Sequence, residues 1–546
     1  MISQTKTIIS TVATEHKTNL FYFFSALSLF VILETLYRLA TNKLSVFLPF
    51  NEYATLFALL LVISYCSRRF ANMFLGYILI LYFFQMANYN YFGYFIFPIE
   101  IFLFFAKTRE IFDVVPTVLE MIIVPFLGVV AIWLTARYLD RKCHSRKNSH
   151  IASLVIIILL TFSTVNLAFT KQSNPLGSRP NDNKSILKNS IYLSEYFVGK
   201  TFLRMAFNIE TVKSWSQPTF SVAAQHEQFQ NVIFIVGESL TMNHVSLYGY
   251  PRQTMPKMEH YAKRHDFLFK PAISAGVWTD TAIPALLGVA KKPNATEYII
   301  GGDNNLFRLA KEQGYHTYFI SSQARNGFSY IRSYMSVNNI DRYIDASAKT
   351  GEEYISLNDE FLVEEFKKIP LTETNFIVLN MFGSHEPYKK RYPATFSKFG
   401  ESSPVDQYDN SVYYTDYVIS SIIDYLESTN NGKSVVIFTS DHGQHVGEDG
   451  YGKGNVEIPS DYEVPFFLLP LNAKRDEKVT QYLDQQWISH YNVSSVVAYY
   501  LGYNALQKNN IGEISMFVNG GELNGNAGYA ELHLLPKGFE RIYHYQ

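Results

Sequence analysis

Three short polar stretches carry side-chain types that bind divalent metals, and each follows an apolar run. Gly237-Glu238-Ser239 follows Val232 to Val236, Gly383-Ser384-His385-Glu386 follows Phe376 to Met381, and Asp441-His442-Gly443 follows the stretch Ser434 to Ser440. Two carboxylates and an imidazole suit a hard-to-borderline ion such as zinc, with one ligand position still to fill, as in catalytic zinc sites. Taken singly, an Asp-His pair or a Glu after a strand serves as a cap or turn as readily as a ligand. Their convergence carries the weight. Parallel strands bring their carboxyl ends to one rim of a sheet, so Glu238, His385, Asp441 and His442 can meet there.

The stretch Ala275 to Pro284 offers the missing ligand. Thr279 and Thr281 precede an apolar helical run, Ala282 to Ala290. A hydroxyl in that place is either the N-cap of the helix or, where free N–H groups and the dipole hold a phosphate, a nucleophile that a nearby metal helps to deprotonate. The residue types do not choose between the two threonines.

The elements that must position these residues form an α/β pattern. Strands are expected at 231–236, 316–321, 375–381 and 434–440, and helices near 303–313, 358–368 and 413–428. This alternation predicts a mixed, mostly parallel sheet between helices. Roughly 320 residues are ample for such a core with insertions.

The first third has a different composition. Apolar segments at about 20–40, 46–66, 70–90, 115–136 and 151–169 approach the ~20 residues that a spanning helix needs. The first is too long, and lacks the cleavage site, for a signal peptide. Lys6, Lys17, Arg68, Arg69, Arg137, Arg141, Lys142, Arg146 and Lys147 fall on one side of these spans, against Arg38, Lys43, Lys107 and Arg109 on the other. That asymmetry predicts a cytoplasmic N-terminus and an external chain after Thr170. Residues 88–107, interrupted by Gly93, Pro98 and Glu100, read as an interfacial or re-entrant segment. Glu34 and Glu120 read as carboxylates at interface level.

Three regions are therefore expected: a five-helix transmembrane domain (1–170), a linker with a membrane-surface helix (171–223), and a catalytic domain (224–546). Residues 184–210 suit a helix lying on the outer leaflet or one packed on the soluble domain. The whole chain has 546 residues and a net charge of −1, which gives no reason to propose a nucleic-acid partner. Its two cysteines, Cys66 and Cys143, both fall in the membrane region. Disulfides and a cysteine-built zinc site are excluded elsewhere.

The blocks at 237–250 (GES to SLYGY), 383–393 (GSHEPYKKRYP) and 440–450 (SDHGQHVGEDG) together resemble the phosphoethanolamine transferases of Gram-negative inner membranes. That family modifies lipid A and lipopolysaccharide core and includes the mobile colistin-resistance enzymes. The resemblance covers nearly the whole chain. It implies an alkaline-phosphatase/sulfatase-like domain, held in the periplasm behind five membrane helices. It implies Glu238, Asp441, His442 and Thr279 as ligands of one Zn2+, Thr279 as nucleophile, Thr281 as structural, and His385 as a contact of the transferred phosphoryl group. Phosphatidylethanolamine is the implied donor, and lipid A, core oligosaccharide or a periplasmic glucan the acceptor. Polymyxin resistance follows where lipid A is modified.

The chain departs from the family in two places. Ala275 stands at the family's cysteine. Where a second histidine usually follows the SDHGxxxGExG stretch, this chain reads Tyr451-Gly452-Lys453-Gly454, one residue shorter. Either Lys453, as a cation aimed at phosphate, or His445 fills that space, and a second zinc is left unassigned. Two further readings use the same residues: a phosphoglycerol transferase of the lipoteichoic-acid-synthase type, and a non-catalytic membrane sensor or assembly protein. The intact set Glu238, Thr279, Asp441 and His442 speaks against the second.

Overall fold

The apolar runs at 231–237, 375–380 and 434–440 lie side by side at the centre of one sheet because each is buried on both faces. A residue run with no polar alternation has no solvent side to offer, so it is stable only between two layers. The computed structural model describes residues 2–41, 44, 46, 48–92, 95–96, 108–142, 149–169, 184–202, 217–223, 228–328, 331–429, 432–447, 450–506, 515–521, 523 and 528–544. The chain divides into two compact units, Met1–Glu210 and Thr211–Gln546.

In the first unit helices α1 (Ile2–Thr41), α2 (Phe50–Tyr65), α3 (Arg68–Phe92), α4 (Thr108–Lys142) and α5 (His150–Phe169) lie over the five apolar segments. Among the described residues, three stretches are long and apolar enough to cross a membrane: Thr14–Thr41, Arg68–Asn90 and Met121–Lys142. Asn51–Tyr65 and His150–Val165 are apolar but shorter. Phe30, Leu60, Leu79, Tyr82 and Ile132 form the interior, while Met73, Val124, Ile151 and Phe162 point outward. An apolar exterior on apolar helices is the arrangement that lipid favours.

A sixth helix, α6 (Ile186–Tyr196), belongs to this unit and buries Ile186 and Leu187 among the apolar helices. Glu34 differs from the expectation of an interface-level carboxylate, because it is buried on Arg38 and on the start of α6. The side chain of Glu120, most of the expected re-entrant segment and the linker at 171–183 lie outside the described residues.

The second unit is built on an eight-stranded sheet of order β10-β2-β9-β6-β1-β5-β3-β4. Its strands are β1 (Asn231–Gly237), β2 (Leu268–Ile273), β3 (His316–Ser321), β4 (Arg342–Asp345), β5 (Asn375–Asn380), β6 (Ser434–Ser440), β9 (Glu463–Leu471) and β10 (Ile488–Ser489), while β7 (His445–Gly447) and β8 (Gly450–Gly452) pair separately. β1 runs parallel to β5 and β6, and β3 parallel to β4 and β5, whereas β9 is antiparallel to β2 and β6. The sheet is thus mixed and mostly parallel, as expected.

Alternate residues of β1 face opposite cores. Val232, Phe234 and Val236 meet helices α7 (Thr279–Leu287), α8 (Leu306–Glu312) and α11 (His490–Tyr500). Ile233 and Ile235 meet α9 (Glu360–Phe366) and α10 (Pro404–Ser428). In register, Gly237 pairs with Ser440 and Val236 with Asn380, so the chain leaves three neighbouring strands at one level. Everything chemical sits just beyond that level.

Candidate metal centre and its threonine

Glu238, Asp441 and His442 come together at the strand ends, with one ligand atom of each within 4.8 Å of the others, and all three are buried. His442 Nε2 lies 3.3 Å from Glu238 Oε1 and 3.6 Å from Asp441 Oδ2. The imidazole is oriented by its other nitrogen, Nδ1, which donates to the Gly443 carbonyl at 2.7 Å. That bond leaves Nε2 as the ring nitrogen that faces the carboxylates and that a metal would take.

Backbone geometry sets the carboxylates. Ser239 has φ 58°, and this turn sends its N–H to Asp441 Oδ1 at 3.1 Å. Ser239 Oγ donates to Glu238 Oε1 at 2.6 Å. The loop after β5 closes over Glu238 only because residue 383 is glycine: at its φ of +48° an added Cβ would stand 2.6 Å from the Glu238 carbonyl oxygen. Asp359 holds this loop by accepting the N–H groups of Phe382 and Gly383 at 2.7 and 3.0 Å.

The donor set fits a divalent metal. Asp441 Oδ2 is buried with no hydrogen-bond partner, and an orphaned carboxylate oxygen is costly unless a cation meets it. Burial and the neighbouring Glu238 charge push the Asp441 carboxyl up to about 7. Burial works against the Glu238 charge too, but Lys453, His442 and His385 together hold that carboxyl well below the usual range. Burial likewise opposes the protonated form of His442, yet Asp441 and Glu238 raise its pKa overall.

Of the two threonines, Thr279 reaches this centre. It opens α7, and its Oγ1 donates to Glu238 Oε2 at 3.1 Å and lies 3.3 Å from His442 Nε2. Thr281 points elsewhere, donating to the Trp278 and Gly520 carbonyls at 3.0 and 3.2 Å. It packs so tightly on Gly276 that a Cβ there would collide with its hydroxyl.

Lys453 also enters the centre, with Nζ 3.2 Å from both Glu238 Oε1 and Ser239 Oγ and 3.4 Å from His442 Nε2. His445 instead pairs with Asp461 at 2.8 Å. His385 is half-buried beside the centre; burial, with Lys453 second, pushes it down to about 3, so it is neutral at neutral pH. Its Nδ1 bonds the Glu386 carbonyl at 2.6 Å.

Three contributors were not expected from sequence. Gln323 donates to Glu238 Oε2 at 3.1 Å and to the Met381 carbonyl at 2.8 Å. It stands two residues past the end of β3, on the same rim, a position that would have marked it. Asp359 stands just before α9, and Tyr408 in α10 holds the Ser239 turn through its hydroxyl; neither carries a comparable signal.

A sulfatase family model matches residues 230–498. The second unit is therefore a sulfatase-type α/β domain, whose sheet and strand-end residues are those described above. Integral membrane lipooligosaccharide phosphoethanolamine transferase A (EptA) from Neisseria meningitidis aligns over 89% of this chain and 95% of its own, with TM-score 0.56 and 17% identity. The putative transferase YhbX of Escherichia coli K12 is 26% identical over 355 residues, 63% of this chain and 62% of that protein. Phosphoethanolamine transferase EptA of Helicobacter pylori is 23% identical over 369 residues, 63% of this chain and 66% of that protein. In these two alignments the chain thus spans a little under two thirds of the length of the curated relative it matches. Over the aligned stretches the chain is thus similar to phosphoethanolamine transferases.

Proposed function

We propose that the chain transfers phosphoethanolamine from phosphatidylethanolamine to lipid A or another outer-leaflet or periplasmic glycan, by way of a covalent intermediate on Thr279. The observation that carries this reading is the position of Thr279 Oγ1, within 3.3 Å of two members of a trio that fits a metal. A zinc ion held by Glu238, Asp441, His442 and Thr279 would supply Lewis acidity, lowering the pKa of the hydroxyl and offsetting phosphoryl charge.

Thr279 Oγ1 forms the new bond to phosphorus while the diacylglycerol oxygen departs. The threonine proton already lies on the line to Glu238 Oε2. His385, neutral at neutral pH, serves as a polar contact to the phosphoryl group, and Lys453 as its cationic one. An acceptor oxygen then attacks phosphorus and the bond to Thr279 breaks, which makes the kinetics ping-pong. Both substrates are membrane lipids or lie near the membrane. Apolar helices on the same chain support an inner-membrane protein with a periplasmic catalytic domain, because tethering raises the effective concentration of each.

Intact-mass spectrometry after incubation with phosphatidylethanolamine is expected to show a phosphoethanolamine adduct on Thr279 that disappears in Thr279→Ala. An adduct that persists in that variant, or that maps to Thr281, overturns the assignment.

A further inference from the structure

We propose that Lys453 is an exchangeable cation of the metal centre: it holds the cleft in the metal-free protein and passes to a substrate phosphoryl oxygen when the metal binds. The inference rests on the metal-centre reading above and gives that centre a built-in coupling between metal and phosphate.

The loop that carries Lys453 drives it inward. Gly452 and Gly454 flank it with φ of 123° and 103°, backbone that side-chain-bearing residues rarely adopt. A Cβ at Gly454 would overlap the Trp278 indole, so the loop lies flat on that ring. Lys453 Nζ sits 5.8 Å from the ring centroid, and its side chain is only 15% exposed. Trp278 immediately precedes Thr279, so the loop that places the ammonium packs on the N-cap of the helix that bears the nucleophile.

The ammonium cannot share its present partners with a metal. An imidazole nitrogen binds a metal through its one in-plane lone pair, and on His442 the Nδ1 bond to Gly443 leaves Nε2 as the nitrogen for it. Lys453 Nζ stands 3.4 Å from that nitrogen, close to where a metal on it would lie. A metal on Nε2 brings a second positive charge beside the ammonium and competes with it for Glu238. Glu238 and Ser239 lie in the same pocket, so Lys453 must turn outward on its flexible stem. The anion that arrives next, on the side of Thr279, is a phosphoryl group. Metal and phosphate binding are then linked through Lys453, and the linkage is reciprocal.

The test measures zinc affinity of the detergent-solubilised full chain by chelator competition, with and without inorganic phosphate. It compares wild type, Lys453→Met, Lys453→Gln and Glu238→Gln, with folding checked by circular dichroism. Methionine keeps the stem on Trp278, and glutamine serves if methionine disturbs the loop. The neutral variants are expected to bind zinc about tenfold more tightly than wild type. Phosphate is expected to tighten zinc binding in wild type by about fivefold more than in either variant. Zinc affinity in the variants equal to or below wild type overturns the exchange. So does an equal phosphate effect in all, which would leave simple charge repulsion. If Glu238→Gln keeps wild-type zinc binding, the metal-centre reading itself fails; if only the Lys453 variants disappoint, the centre stands and the exchange falls.

Discussion

Glu34 and Asp441 are carboxylates with almost no exposure to solvent, 1% and 0%, but their surroundings treat them in opposite ways. Glu34, in the first unit, accepts from Arg38 Nε at 3.1 Å, from the Ile186 N–H at 2.9 Å and from the Tyr82 hydroxyl at 3.5 Å. Nearby, Glu52 accepts from the Ser185 N–H at 3.1 Å and from Lys188 Nζ at 2.8 Å. Two acids thus cap the start of α6, where free N–H groups and the helix dipole favour negative charge. Asp441, in the second unit, keeps Oδ2 without a hydrogen bond beside a second carboxylate. A buried acid with a full set of donors is a joint. One left short, in company, is a receptor for a cation.

The sharpest way to break this contrast is to neutralise one acid of each kind. Asp441→Asn is expected to weaken zinc by more than about 100-fold, beyond what losing a residue outside the ligand set costs, with little loss of thermal stability. Glu34→Gln is expected to leave zinc binding unchanged and to destabilise the first unit by about 3 kcal/mol, because Arg38 stays buried without its counter-charge. Both cysteines lie in the first unit, so a thiol-reactive dye in a thermal ramp reports on that unit alone. Zinc loss in Glu34→Gln, or a large dye shift in Asp441→Asn, would erase the distinction.

A smaller effect follows from pH. The Asp441 pKa, raised to about 7 by burial and by Glu238, means that the metal-free site holds a proton below that pH. A metal must expel it. Zinc affinity is therefore expected to fall about tenfold per pH unit as the solution is acidified below about 7, and to level off above. Chelator-buffered titrations from about pH 8 to pH 5 would show this. A flat profile would mean that the carboxylates are not a short-handed pair. The joint at Glu34 should give no such dependence on zinc.

What the sequence made legible follows the same division. β1, β5 and β6 announce themselves as unbroken apolar runs, and the residues just past their ends are the ones that converge. The choice of Thr279 over Thr281 was not legible from residue types, because it depends on which hydroxyl the first turn of α7 directs inward. β9 was missed: Pro465 and Pro470 argue against a strand within a sheet, yet it runs between β2 and β6. α10 begins at Pro404, nine residues before the expected start. Its first turns bury Asp406, Tyr408, Asp409 and Asn410, polar side chains that leave no hydrophobic period to detect. In the first unit, nothing in the sequence around Glu34 signalled the distant N–H of Ile186.

Tyr408, in that unread stretch, offers the finest test of the contrast. Its hydroxyl donates to the Ser239 carbonyl at 2.8 Å and accepts from the Thr241 N–H at 3.0 Å, and its ring is fully buried. It braces the turn whose N–H fixes Asp441 Oδ1, as Arg38 and the α6 terminus brace Glu34. The difference is that the brace acts one bond away from the under-supplied acid, leaving Oδ2 open while fixing Oδ1. Tyr408→Phe strands two buried backbone groups, so a loss of about 1 kcal/mol is expected in thermal unfolding of the second unit. If the brace also serves the centre, zinc affinity will fall several-fold more than Tyr388→Phe brings about, a change that removes a hydroxyl bound to Glu386 Oε1. A stability loss with unchanged zinc affinity would place Tyr408 among the joints, and would confine the cation-receiving character to the four side chains that meet at the strand ends.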